Sequence, residues 1–96
     1  MESFLKNYYL KKLSIDEMWQ LYKILGKGMG EKYLLDEAVE MMKKLSPDII
    51  SKALHLMYDT VSSNPMQLAL MFVRGLQYNK FFEFQEFIGT LNGSSS

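Results

Sequence analysis

Cysteine is absent from the 96 residues, which removes disulfide frameworks, cysteine-bound zinc, iron–sulfur clusters and thiol nucleophiles together. There is no excess of charge either: eleven Lys and Arg balance eleven Asp and Glu, so no polyanionic partner or anionic membrane surface is announced. The longest uncharged stretch, Thr60 to Val73, has fourteen residues broken by Asn64-Pro65, and a membrane span needs about 20. Met1 to Leu13 is interrupted by Glu2, Lys6, Lys11 and Lys12 and lacks a small-residue cleavage site, so no export signal is expected. Gly and Pro are scarce, while 48% of residues are hydrophobic, enough to build a core. The expectation is one all-α domain of five to six short helices over residues 1–91 with a flexible tail at 92–96, located in the cytoplasm.

No sustained period-two alternation marks a strand. A weakly patterned helix is predicted over Ser3 to Lys12. A second starts at Ile15 behind the capping box Ser14-Ile15-Asp16-Glu17, with Ile15, Met18, Trp19, Tyr22 and Leu25 inward, and stops in Gly26-Lys27-Gly28-Met29-Gly30. A third, Glu31 to Leu45, carries Leu34, Leu35, Ala38, Met41, Met42 and Leu45 on one stripe. Ser46-Pro47 then opens a fourth to about Tyr58, with Ile49, Ile50, Ala53, Leu54, Met57 and Tyr58 inward. Asn64-Pro65-Met66-Gln67 opens a fifth by the same logic, and Met66, Leu68, Ala69, Leu70, Met71, Phe72, Val73 and Leu76 nearly surround it, so it should be central or covered on two sides. A sixth places Phe81, Phe84, Phe87, Ile88 and Leu91 on one stripe and Phe82 outside it.

Candidate sites are few. Gly26, Gly28 and Gly30 lack the strand and the Lys-Ser or Lys-Thr of phosphate loops and read as a linker. His55, the single histidine, projects with Asp48, Ser51, Lys52 and Asp59; an i,i+4 His55–Asp59 pair is possible geometry, without a marked nucleophile beside it. Asp36, Glu37 and Glu40 share a helix with Lys32, Lys43 and Lys44 and read as a charged face, not as metal ligands. Lys6, Lys11 and Lys12 beside Tyr8 and Tyr9 form a small basic, aromatic cluster bracketed by Glu2, Asp16 and Glu17. No cofactor, no metal and no catalytic constellation is expected, and nucleic acid is not the expected partner.

The apolar inventory is more informative, with eight Met and six Phe. Met29, Met66, Met71 and Phe82 do not fit into a single core beside the stripes, and flexible methionines grip apolar helices without fixed geometry. Most of these residues read as filling of an irregular core, and the nearly all-round apolar fifth helix suggests surface left over for a partner or for a second copy of this chain.

The order of parts resembles the small tail assembly chaperones of long-tailed bacteriophages. The resemblance rests on Phe4-Leu5-Lys6 leading to Leu13-Ser14-Ile15, on the Asn64-Pro65 helix running through Phe72-Val73-Arg74-Gly75-Leu76, and on the closing run from Asn79-Lys80-Phe81-Phe82 to Phe87-Ile88. It implies a non-enzymatic protein of the host cytoplasm that coats the apolar tape measure protein before the tail tube polymerises, often oligomerises, and has a frameshifted longer version. Carried onto this chain, the resemblance implies partner-binding contacts on the apolar surplus of the fifth and sixth helices, with Met66, Leu70, Met71 and Phe82 the candidates. The alternative is a small helical regulator or inhibitor that binds one specific protein or DNA.

Overall fold

In the computed structural model, which describes residues 9–26 and 33–93, the chain is all-α. Its helices are α1 (Ile15–Leu25), α2 (Leu35–Lys44), α3 (Pro47–Met57), α4 (Pro65–Tyr78) and α5 (Phe81–Gly93). The starts are set by side-chain caps. At α1 the box closes in both directions: Glu17 N–H donates to Ser14 Oγ at 3.2 Å and Ser14 N–H donates to Glu17 Oε1 at 2.9 Å. The Ser14 backbone N–H, and then its hydroxyl, hold the Glu17 carboxyl below its usual pKa. At α3 the Ser46 hydroxyl accepts from Ile49 N–H, and Pro47 occupies the position where a missing N–H costs nothing. At α4 Asn64 Oδ1 accepts from the N–H groups of Met66 and Gln67. The reciprocal half of that box is not made, because Gln67 Oε1 instead accepts from Ser62 Oγ at 2.6 Å.

Helix α4 is central, as its nearly all-round apolar sequence requires: it packs against α2, α3 and α5, while α1 packs against α3 and α5. Ala69, Met71, Phe72, Val73, Gly75 and Leu76 are buried on it. Gly75 permits the close approach of α3, since a Cβ there would lie 2.7 Å from Met57 Sδ and 3.4 Å from the Tyr58 ring. Tyr58 completes this contact. Its ring is buried and its hydroxyl donates to the Met71 carbonyl at 2.8 Å. Desolvation pushes the Tyr58 hydroxyl up to about 12.

Three expectations are corrected. Residues 9–14 are extended, where 9–12 were expected as the end of a helix; residues 3–8 of that predicted helix lie outside the described residues. Leu10 makes an isolated antiparallel bridge with Tyr58, and Lys11 N–H donates to the Met57 carbonyl at 2.8 Å. Asn79 serves the rest of this segment: its Oδ1 accepts from Leu13 N–H at 2.7 Å, and its Nδ2 donates to the carbonyls of Lys11 and Gly75, each at 3.1 Å. Non-local partners thus satisfy a backbone whose own side-chain pattern is too weak for a helix. Secondly, α2 starts at Leu35 and not at Glu31, for Tyr33 and Leu34 are non-helical and Leu34 gives no side-chain cap. Tyr33 is held elsewhere. Its hydroxyl donates to Glu83 and accepts from Phe82 N–H, and burial, with the Glu83 bond adding to it, raises its pKa strongly. Thirdly, α5 continues to Gly93, into the segment expected as a tail; residues 94–96 lie outside the described residues.

The turn at each end of this frame is sterically specific. Gly26 ends α1 at φ 66° and ψ −147°, a region open almost only to glycine. Lys80 follows α4 at φ 53°, in the left-handed position that glycine usually fills, and its N–H donates to the Gln77 carbonyl.

Two outcomes follow from these bonds. Asn79→Ala leaves Leu13 N–H and Lys11 C=O without their partner and should cost about 2 kcal/mol or more, roughly 10 °C in Tm. Asn79→Asp, able to accept but not to donate, should fall between the two in thermal unfolding followed by circular dichroism. A tyrosine whose folded pKa lies above its unfolded value near 10 stabilises fully below that pH and loses the contribution as pH rises through about 12. Denaturant unfolding between these pH values should therefore show falling stability, with a shallower fall in Tyr58→Phe and the remaining slope from Tyr33.

Candidate functional site

Two apolar surfaces stand out on the folded chain. The first is a groove of about 390 Å³ between the end of α2, α3, the loop after α3 and α4. Met42, Ile50, Leu54, Val61 and Leu68 supply its apolar lining, and Ser51, His55, Ser62 and Ser63 its polar part. A volume of this size lies within the range of natural ligand sites. Its walls are set by short connections. Only Leu45 and Ser46 separate α2 from α3, which keeps Met42 beside Pro47 and Ile50. On the opposite side Ser62 Oγ donates to Gln67 and accepts from Asn64 N–H at 3.0 Å, so the loop carrying Val61 is tied to the first turn of α4.

His55 lies at this groove, not in an i,i+4 pair with Asp59. Its Nδ1 is 2.8 Å from the Ser51 carbonyl and 3.3 Å from Ser51 Oγ. A carbonyl only accepts, so this bond assigns the proton to Nδ1. In that tautomer Nδ1 has no lone pair for the Ser51 proton, so the two residues do not form an activated nucleophile. Asp59 instead pairs with Lys11 Nζ at 3.3 Å, which engages one lysine of the predicted basic cluster; Lys6 lies outside the described residues. Glu40 bonds to Lys43 at 3.3 Å, and Glu37 Oε2 is buried without a hydrogen-bond partner among the described residues. Among the described residues no group of three His, Asp or Glu side chains converges on a point where a metal could sit. Gly28, Met29 and Gly30 lie outside the described residues, and no described helix is long and apolar enough to cross a membrane.

The second surface is a band across α1 and α5. Trp19 stacks on Tyr22 with ring centroids 5.6 Å apart, and Tyr22 meets Phe84 edge-on at 6.3 Å. Ile15 extends the band one turn back along α1, while Phe87 and Leu91 extend it along α5. Lys23 Nζ lies 5.8 Å over the Trp19 ring. Ile15, Trp19, Phe87 and Leu91 were all expected in the core, yet they are 72%, 39%, 56% and 61% exposed. Leu34, on the predicted stripe of the third helix, is exposed as well.

The predicted partner-binding residues divide. Met66 is exposed and Leu70 half-buried, and the helical spacing puts them on one outward face of α4, apart from the groove lining. Met71 and Phe82 are core residues, at 0% and 7% exposure, and so are not contact surface on the folded chain. Met71 is covered because it faces the α3–α4 contact, where its carbonyl takes the Tyr58 hydroxyl. Phe82 falls outside the stripe of its own helix, but the Tyr33 ring covers it with centroids 4.6 Å apart and Phe81 abuts it at 5.9 Å. A helical wheel carries no information about a residue 49 positions away whose hydroxyl also binds Phe82 N–H. The groove residues were legible only as stripe members; the Pro47 corner and the Ser62-Ser63-Asn64 loop were the signals that an opening would form beside them.

Burial separates the two phenylalanines experimentally. Phe82→Asp places a carboxylate in the core and should abolish the cooperative thermal transition, whereas Phe87→Asp should leave the far-UV circular dichroism of the folded chain unchanged. Comparison with family models, with curated proteins and with solved structures finds no match for this chain.

Proposed function

We propose that this chain is a non-enzymatic, chaperone-like protein that shields an apolar helical segment of a partner in the groove between α2, α3 and α4. The observation that carries the reading is the groove itself: five apolar side chains from four chain segments line an opening that no described side chain fills. An amphipathic helix presents apolar anchors at i, i+3 or i+4 and i+7, the pattern that such a groove accepts. Met42 on one wall adapts its shape to different anchors, so sequence demand is low. Each anchor buried contributes about 1.5–3 kcal/mol, and association costs several kcal/mol, so two or three anchors give micromolar or weaker binding. Weak, renewable contact suits a protein that must release its client.

The tape measure protein of the phage family that the chain resembles is one client of this chemistry, long and rich in apolar helix. A regulator that contacts DNA has less support, because Lys11 is engaged with Asp59.

Val61 is the residue for the test, since it lines the groove from a loop outside the helices and is only partly buried. A fluorescein-labelled, uncharged amphipathic helical peptide of about 20 residues should bind the native chain and bind Val61→Asp at least about tenfold more weakly in fluorescence anisotropy, a difference of ~1.4 kcal/mol. Equal affinity for the two chains, with circular dichroism unchanged, would overturn the groove as the site.

A further inference from the structure

His55 is the one titratable side chain among the described residues that line the groove; its polar companions there are Ser51, Ser62 and Ser63. Resting on the reading of the groove as a helix-binding site, we propose that the bound segment carries a carboxylate beside its apolar anchors. The protonated His55 ring receives that carboxylate, with Lys52 next to it, so the groove holds such a segment more tightly as pH falls. The hydrogen bonding of the ring prepares this. Nδ1–H is committed to the Ser51 carbonyl at 2.8 Å, and Nε2 has no hydrogen-bond partner among the described residues. Because Nδ1 keeps its proton in both states of the ring, titration changes Nε2 alone, from an acceptor in the neutral ring to a charged donor in the protonated one. Ser62 Oγ does not take its place, since its proton goes to Gln67 Oε1.

The surrounding charges decide what this donor meets. What α2, α4 and the loop after α3 contribute to the lining is Met42, Leu68, Val61, Ser62 and Ser63, none of them charged or titratable, and α1, which also packs against α3, contributes no lining residue. On α3 itself the helical spacing puts Lys52 one turn before His55 and Asp48 two turns before it. Asp59, beyond the helix end, is neutralised by Lys11. Lys52 has no ion-pair partner among the described residues. His55 also sits in the last turn of α3, where the helix dipole favours a cationic ring. A carboxylate arriving beside the anchors therefore meets an ammonium and an imidazole able to donate, whereas a client lysine would meet Lys52 as a like charge. The anchors of the same segment exclude water from the contact and strengthen it.

Imidazole is the side chain that ordinarily titrates between about pH 5 and 8, and the sequence has one histidine, so among its side chains the pH dependence has a single origin. A carboxylate favours the charged ring, so binding takes up a proton and affinity rises as pH falls through that range. On the full chain, fluorescence anisotropy compares the uncharged amphipathic peptide with versions in which one polar position at a time, next to an apolar anchor, is Glu. The uncharged peptide should bind equally at about pH 8 and about pH 5.5, while at least one Glu version should bind about fivefold more tightly at the lower pH. His55→Gln should lose that gain. Lys52→Gln should weaken the same version at both pH values and keep the gain. If the uncharged peptide binds and no Glu version gains at the lower pH, or if the gain survives in His55→Gln, this inference is overturned and the groove stands. A native chain that does not bind the uncharged peptide at either pH overturns the groove reading and this inference with it. His55→Asn serves in place of His55→Gln should that variant lose its far-UV circular dichroism.

Discussion

The Asn79 carboxamide is the bond on which the arrangement of helices turns. A single side chain accepts from Leu13 N–H and donates to the carbonyls of Lys11 and Gly75, so all three of these bonds rest on one residue between α4 and α5. Its orientation is self-consistent, because the oxygen meets a donor and the nitrogen meets two acceptors. The extended segment it holds has no sheet to join, and its backbone would otherwise compete for water. Since Leu13 immediately precedes the Ser14 cap, fixing Leu13 also fixes where α1 begins and which of its flanks faces α3. Met18, Leu21 and Leu25 then turn inward, and Ile15 and Trp19 are left on the outer flank.

The same corner explains the burial on α5. Lys80 in the left-handed conformation reverses the chain within two residues, so α5 starts directly against the end of α4. The start of α5 is then clasped from the other side: Gln85 Nε2 donates to the Gly26 carbonyl at 2.6 Å, and Tyr33 binds Glu83 and Phe82. Phe81, Phe82 and Ile88 are buried, while Phe87 and Leu91 lie on an exposed flank.

Helix starts were legible in the sequence because they are local chemistry. Ser14 with Glu17, Ser46 with Pro47 and Asn64 with Pro65 each cap a helix at the expected residue. The central place of α4 was legible too, from an apolar surface too wide for one neighbour. What periodicity could not give is which edge of a wide stripe a neighbour reaches. Ile15, Trp19, Phe87 and Leu91 satisfy the spacing of a core face and remain exposed; Met71 and Phe82 violate it and are enclosed by Tyr58 and Tyr33, far away in the chain. The extended course of residues 9–14 was illegible for the same reason, since its partners are Met57, Tyr58 and Asn79. Leu21, buried on α1 but left off the predicted face, marks the error there as a rotation of the stripe by about one position.

A chain of this length encloses only part of its surface, roughly 60–65% of what unfolding would expose, so the choice of which apolar side chains stay outside is as specific as the core. Here the excess is divided between two shapes on different helices. The groove is concave and draws its apolar lining from four chain segments, whereas the aromatic band lies on the outer flanks of two helices. The difference follows from how the walls are connected. The two-residue corner at Leu45-Ser46 and the tie of Ser62 to Gln67 and Asn64 fix the groove walls in place, while α1 and α5 each turn one flank to the core and leave the other exposed.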